Sequence, residues 1–117
     1  MLESIHPNTE ERLQVADNDF EEEMTWEQAI EACKNLGDGW RLPTISELEI
    51  MYKKLHKKGS GNFKDDWYWS SMEDGTSFAW DFFFNKYGLA HSSCGYKTNT
   101  GYVRAVMTIE LNNNLTI

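Results

Sequence analysis

The chain predicts an α+β domain built around an antiparallel sheet, and three observations carry that prediction. Two stretches in the first half open with a capping box and continue with an apolar stripe at helical spacing. From Trp67 onward the apolar period shortens to that of extended chain, and one short alternating run near Leu13 precedes the helices. A length of 117 residues leaves room for one core of ordinary size.

Residues 1–12 are polar, include Pro7 and show no apolar period, so they read as a flexible arm. The domain is expected over 13–111, with 112–117 as a C-terminal tail. Leu13 and Val15 alternate with polar neighbours, which suits a strand with one buried face. Thr25 with Gln28 forms the first capping box, and Trp26, Ala29, Ile30, Cys33 and Leu36 then share one helical face until Gly37 and Gly39 end the run. Thr44 with Glu47 forms the second, followed by Ile45, Leu48, Met51, Tyr52 and Leu55. Pro43 biases the residue before it away from helical geometry and so fixes how the chain enters.

Short aromatic runs punctuated by Gly, Ser, Asn and Asp then predict strands at 67–71, 78–84, about 91–96 and 102–111. In FAWDFFF, Phe78, Trp80, Phe82 and Phe84 fall on one face and Ala79, Asp81 and Phe83 on the other, which is expected to look outward. Trp40, Leu42, Trp69, Trp80 and Phe84 are expected to pack together as one core.

A net charge of −8 repels phosphates and anionic lipid, so nucleic acid is not an expected partner. No window approaches the ~20 apolar residues of a membrane span, and the N-terminus lacks the parts of a secretory signal. The chain reads as soluble, with no membrane insertion; display on a cell or phage surface would need an adjoining partner. The acidic run Asp17–Glu23 and the lysines at 53, 54, 57 and 58 are expected on solvated faces.

Trp26-x-x-Ala29-x-x-x-Cys33, then GWRLPT at 39–44 with Glu47 and Leu48, YWSS at 68–71, Ala79-Trp80-x-x-x-Phe84, Gly88 and VRAV at 103–106 form an ordered series of uncommon motifs. The series resembles a bacterial domain-of-unknown-function family found at the C-terminus of collagen-like adhesins, and the resemblance runs from about Leu13 to Val106. It implies a C-type-lectin-like fold, shared with formylglycine-generating enzymes, in which two helices flank a twisted antiparallel sheet and the terminal strands pair. The chain also resembles the variable proteins of diversity-generating retroelements, whose rewritten segment would lie at 69–106 here. Between Asn85 and Tyr102 many positions carry residues reachable from an Asn codon, although loops favour Asn, Gly and Ser for turn geometry in any case. Those proteins usually stop near the VRAV frame, whereas ten residues follow Met107 here.

The chemistry-bearing residues compose no catalytic or metal site. Cys33 falls on the inner stripe of the first helix and Cys94 in a loop-like setting, so neither is expected to be bonded or reactive. His6, His56 and His91 lack ligand spacing, Asp17-Asn18-Asp19 lacks the glycine and terminal glutamate of a calcium loop, and no strained serine or phosphate-binding glycine loop is present. No enzyme activity, cofactor or metal is expected. Arg41 and Arg104 are read as guanidiniums laid on aromatic rings.

What remains is an outward set: Asp81, Phe83, Asn85, Tyr87, His91, Ser92, Ser93, Tyr96 and Asn99. Tyr, Ser, Asn and His around an exposed Phe resemble a paratope, because rigid aromatics supply area and small polar groups adapt. The expected role is a non-catalytic binding module with a protein or glycan ligand. An ordinary polar sheet surface on a structural or adhesin end-domain fits these residues equally well.

Overall fold

The computed structural model describes residues 2–5 and 11–110. Strands β1 (Leu2–Ile5) and β2 (Glu11–Val15) are followed by helices α1 (Trp26–Lys34) and α2 (Ile45–Lys54), then by β3 (Trp67–Asp74), β4 (Phe78–Phe83), β5 (His91–Tyr96) and β6 (Val106–Glu110). Two antiparallel sheets result, ordered β1-β2-β6 and β3-β4-β5. The second strand and the last pair directly, Leu13 opposite Thr108 and Val15 opposite Val106. This is the C-type-lectin-like α+β architecture, with its two helices against a twisted antiparallel sheet and its terminal strands joined.

Both helices begin where the capping boxes place them. The Thr25 hydroxyl accepts from the Gln28 amide while the Gln28 side chain accepts from the Thr25 amide, and Thr44 and Glu47 repeat the exchange. Glu47 is also a structural anion: buried beneath the helix start, it takes both terminal nitrogens of Arg41 at 2.7 and 2.9 Å. Arg41 reaches Thr108 of β6 as well, so it ties α2 to the terminal strands.

The buried residues form two clusters, one on each face of the β3-β4-β5 sheet. Successive strand residues point to opposite faces. Tyr68 and Phe82 therefore join Phe84, Leu13, Val15, Val106, Leu48, Met51 and Tyr52 under α2, while Trp69 and Ala79 join Trp26, Ala29, Cys33, Leu42, Val103 and Ala105 under α1. Each helix covers only part of its face. This division corrects the single core expected: Leu42 and Trp69 lie in one cluster, Phe84 in the other, and Trp40 and Trp80 are half-buried. Leu36, expected on the inner stripe of α1, lies beyond its last turn and is 49% exposed.

Four other expectations are corrected. Within the arm expected at 1–12, Leu2–Ile5 is a strand whose ladder with β2 satisfies its backbone. The rest of 1–10 and the tail at 112–117 lie outside the described residues. The last strand starts at Val106 and not at 102, because the backbone of 101–105 is engaged by the loop after β2: the amides of Ala16, Phe20 and Met24 donate to Ala105, Val103 and Gly101. Cys94 is on β5, not in a loop, and both cysteines are free. Asp19 is not solvated, because it meets Arg104.

Arg104 is 1% exposed, and each of its three guanidinium nitrogens donates a hydrogen bond. Nε donates to Asp19 at 2.8 Å, Nη1 to the Ala16 carbonyl at 3.0 Å and Nη2 to the Asn62 carbonyl at 3.2 Å, while the plane lies 3.9 Å from the Phe63 ring centre, as expected of a stacked arginine. Asp19 also accepts from the Tyr68 hydroxyl at 2.7 Å. Replacing one partner of such a buried pair strands the other charge. Arg104→Ala is therefore expected to lower the unfolding free energy by about 3–5 kcal/mol in urea titration; a loss below ~1 kcal/mol, the level of an exposed pair, would show that the network is not structural.

Candidate ligand-binding cleft

The part of the sheet face that α1 leaves open carries two cross-strand rows. In the first, Trp67, Phe83 and His91 stand in register on β3, β4 and β5. Trp67 and Phe83 stack with ring centres 4.7 Å apart, and the His91 ring meets both edge-on at 5.4 and 5.9 Å. The Nδ1–H of His91 donates to the Leu89 carbonyl at 2.7 Å, which fixes the ring's orientation. Aromatic pairs across strands add to sheet stability as well as presenting surface.

In the second row, Trp69, Asp81 and Ser93 are in register. The indole N–H of Trp69 donates to the Met24 carbonyl at 2.9 Å, holding the ring flat beneath the loop that follows β2. Two glycines make room for it. A Cβ on Gly101 would stand 3.1 Å from the indole nitrogen, and one on Gly95 would stand 3.0 Å from Asp81 Oδ2 and 3.3 Å from the Trp69 ring. Neither close approach leaves room for a side chain without displacement.

Above these rows opens a cleft of about 290 Å³. Trp67, Trp69, Asp81, Ser93 and Gly95 line it from the sheet, Glu23 and Asp66 from the flanking loops, and Asn99 and Gly101 from the segment after β5. Asp66 uses one oxygen to accept from the Trp67 amide at 2.7 Å. Asp81 Oδ1 is buried and has no hydrogen-bond partner among the described residues. Its carboxyl is pushed up to about 6, chiefly by loss of solvent, with its own amide and the nearby His91 pulling the other way.

Of the nine residues expected to form one patch, Asp81, Phe83, His91 and Ser93 share the cleft face and Asn99 lines the cleft. Ser92 and Tyr96 point to the opposite face, where Tyr96 lies on Phe78 with centres 4.5 Å apart. Asn85 and Tyr87 are in the β4–β5 connection: Asn85 Oδ1 accepts from the Tyr87 amide and its carbonyl from Tyr52, and Tyr87 is 79% exposed. The single patch is thus corrected to a cleft face with a loop beside it. The reason is the two-residue period of β5, which sends alternate side chains to opposite sides. Sequence reasoning missed Trp67, Trp69, Glu23 and Asp66; the first two were legible as partners of Phe83 and Asp81 once β3 was set against β4.

Elsewhere, His56 and the two cysteines are held in structural contacts. His56 is buried with Nε2 2.6 Å from Asp65, whose carboxyl that hydrogen bond holds below its ordinary value; His6 lies outside the described residues. Burial pushes the Cys33 thiol up to about 12, and desolvation together with the Asp74 carboxylate pushes Cys94 up to about 11. Neither is a thiolate at neutral pH. Among the described residues no three His, Cys, Asp or Glu side chains are placed to hold one metal ion, and no helix is long and apolar enough to cross a membrane.

The raised pKa of Asp81 has a definite sign for stability. The folded carboxyl holds its proton up to about pH 6, whereas the unfolded one releases it near 4, so between those values the folded state binds more protons and stability falls as pH rises. Glu23 and Asp66 line the same cleft, and His91 stands nearby on the same sheet face. Asp81→Asn, isosteric and uncharged, is expected to raise the melting temperature at pH 7 and to lose that advantage as pH falls from 6 towards 4. A melting difference that does not change with pH would refute the assignment.

No curated protein matches the chain in sequence. Among solved structures the fold is similar to that of EMS16, an antagonist of the collagen receptor integrin α2β1. The TM-score is 0.60, the match covers 84% of this chain and 91% of that one, and sequence identity is 16%. The likeness is one of fold, and it agrees with the lectin-like architecture. In sequence, residues 7–107 match the model of the Lcl C-terminal domain, a match that takes in both capping boxes, the two cross-strand rows and the VRAV segment. The chain belongs to the Lcl C-terminal domain family.

Proposed function

We propose that this domain is a non-catalytic binding module that presents the open face of the β3-β4-β5 sheet to a protein or glycan ligand. The observation that carries the reading is the cleft itself: an aromatic-floored concavity in which Asp81 keeps a buried oxygen without a partner. A buried acceptor left unsatisfied costs stability, which a fold tolerates where a ligand completes the hydrogen bonding. Trp67, Phe83 and His91 supply rigid contact area, and Ser93 and Asn99 supply adaptable polar groups. The likeness to a protein that antagonises a receptor fits a fold suited to presenting a protein-binding surface. Display on a cell or phage surface through an adjoining domain is consistent with such a role.

A finer reading makes the chain a variable protein of a diversity-generating retroelement. Exposure of Tyr87, His91, Tyr96 and Asn99, all within the segment rich in residues reachable from an Asn codon, favours it. An adjacent reverse transcriptase and a near-identical template repeat in the genome would bear it out; their absence would remove it. The rival reading is an adhesin end-domain with no ligand site of its own.

The binding role is tested by screening the domain and a Phe83→Ser, Tyr87→Ser, His91→Ala variant against surface-protein and glycan arrays. All three side chains are outside the two buried clusters, so the variant should remain folded by circular dichroism. Ligands held by the parent and lost by the variant support the proposal. Identical array profiles for the two proteins support the end-domain.

A further inference from the structure

The cleft combines three carboxylates with two indole rings, and none of those carboxylates has an ion-pair partner among the described residues. Two internal cations of the same protein are held differently. Arg104 sits between the Asp19 carboxylate at 2.8 Å and the Phe63 ring at 3.9 Å, and Lys97 between Glu73 at 2.6 Å and the Trp26 ring at 4.7 Å. In both, an acid and an aromatic face enclose a nitrogen cation. The cleft offers the same two parts, with no lysine or arginine of the described chain among its lining residues.

We propose that the cleft takes an organic cation, the ammonium or guanidinium of a lysine or arginine side chain on a protein partner, between the carboxylates of Glu23, Asp66 and Asp81 and the wall formed by Trp67 and Trp69. This rests on the reading of the sheet face as the binding face and names the chemistry of its ligand. The carboxylates do not converge as a metal site would require. They are spread around about 290 Å³, a space suited to a side-chain head group of several atoms. A neutral sugar could stack on an indole, but it would bring no positive charge to the carboxylates of Glu23, Asp66 and Asp81 that line the cleft. The field of those charges is felt nearby: the Tyr102 hydroxyl is pushed above its ordinary value by desolvation and then by Glu23, Asp66 and Asp19. The net charge of −8 steers cations towards the domain as a whole.

Cation–aromatic contact and charge-assisted hydrogen bonding reinforce each other where water is partly excluded. Asp81 anchors the arrangement because its register partner Trp69 and the bare backbone of Gly95 confine its carboxylate. Glu23, at the exposed rim, acts over a longer distance and is screened more.

The test is an NMR titration of the isotope-labelled domain with Nα-acetyl-lysine amide and Nα-acetyl-arginine amide, following the indole N–H signals of Trp67 and Trp69 and the amides of Gly95 and Gly101. Saturable shifts concentrated on those signals are expected. They should weaken roughly tenfold to a hundredfold in Asp81→Asn, the loss of a hydrogen bond to a charged group, and less in Glu23→Gln. The uncharged Nα-acetyl-norleucine amide and Nα-acetyl-citrulline amide should produce no saturable shift. Equal responses to citrulline and arginine, undiminished binding by Asp81→Asn, or no response to either cation would overturn the proposal. Saturation of the same signals by a neutral chitin oligosaccharide, with none by the cations, would overturn the cation while upholding the binding face. Asp81→Asn keeps the shape of the cleft, so loss of binding in a variant with an otherwise unchanged spectrum reports charge and not unfolding.

Discussion

The buried guanidinium of Arg104 is the constraint on which the rest of this fold depends. A cation out of water is tolerated only when it is hydrogen-bonded and its charge is met, and Arg104 meets that condition with partners from two separate segments. Asp19 and Ala16 come from the loop after β2, Asn62 from the connection into β3, and Phe63 closes the aromatic side. Satisfying one side chain thus fixes where two irregular segments lie. The hydroxyl of Tyr68 shares Asp19 and brings the start of β3 into the same network.

That anchoring has a direct effect on the cleft. With its start held by Arg104, the loop after β2 runs beside 101–105 through backbone hydrogen bonds, and its far end delivers the Met24 carbonyl to the Trp69 indole and Glu23 to the rim. A loop without regular structure is thereby positioned as firmly as a strand. The two helices complete the arrangement by covering different parts of opposite sheet faces. The face that α2 leaves partly open carries Trp80 and Tyr96; the face that α1 leaves partly open carries the cleft.

Much of the fold was legible because its signals are local. Each capping box involves residues three apart, and the change of period at Trp67 is a property of neighbours, so the helices and the strand-rich second half could be read directly. The division into two clusters was not legible, since parity along β4 says which residues share a face and not what covers it. Ala79 is buried by α1 across the sheet, while Trp80, larger and more apolar, is half-buried because α2 covers Phe82 and Phe84 instead. The candidate site divided the same way. Asp81 and Phe83 follow from alternation within one strand, and His91 and Ser93 from continuing it on the next. Glu23 and Asp66 reach the cleft only through long-range hydrogen bonding, which no sequence period encodes. Asp19 was misread for the same reason: within an acidic run, nothing local distinguishes the carboxylate that meets a buried arginine from its solvated neighbours.

The cleft also shows how rigidity and adaptability are distributed in this domain. Its floor is overdetermined: Trp69 is held by the Met24 carbonyl and by two glycines that admit no side chain, and Asp81 is confined between Trp69 and Gly95. A side chain added at either glycine would crowd the floor itself. The β4–β5 connection is different, since Tyr87 and Leu89 are largely exposed, while Asn85 and Lys86 before them are tied to Tyr52 and Asp65. Changes at such positions leave both buried clusters untouched and cost little stability. A fixed acidic and aromatic floor thus lies beside an exposed connection whose outermost side chains the two buried clusters do not need. Those two properties lie on adjacent segments because β4 passes from one to the other within three residues, from Asp81 through the ladder ring of Phe83 to the buried anchor of Phe84. The anchor under α2 is what lets the following connection change without disturbing the carboxylate before it.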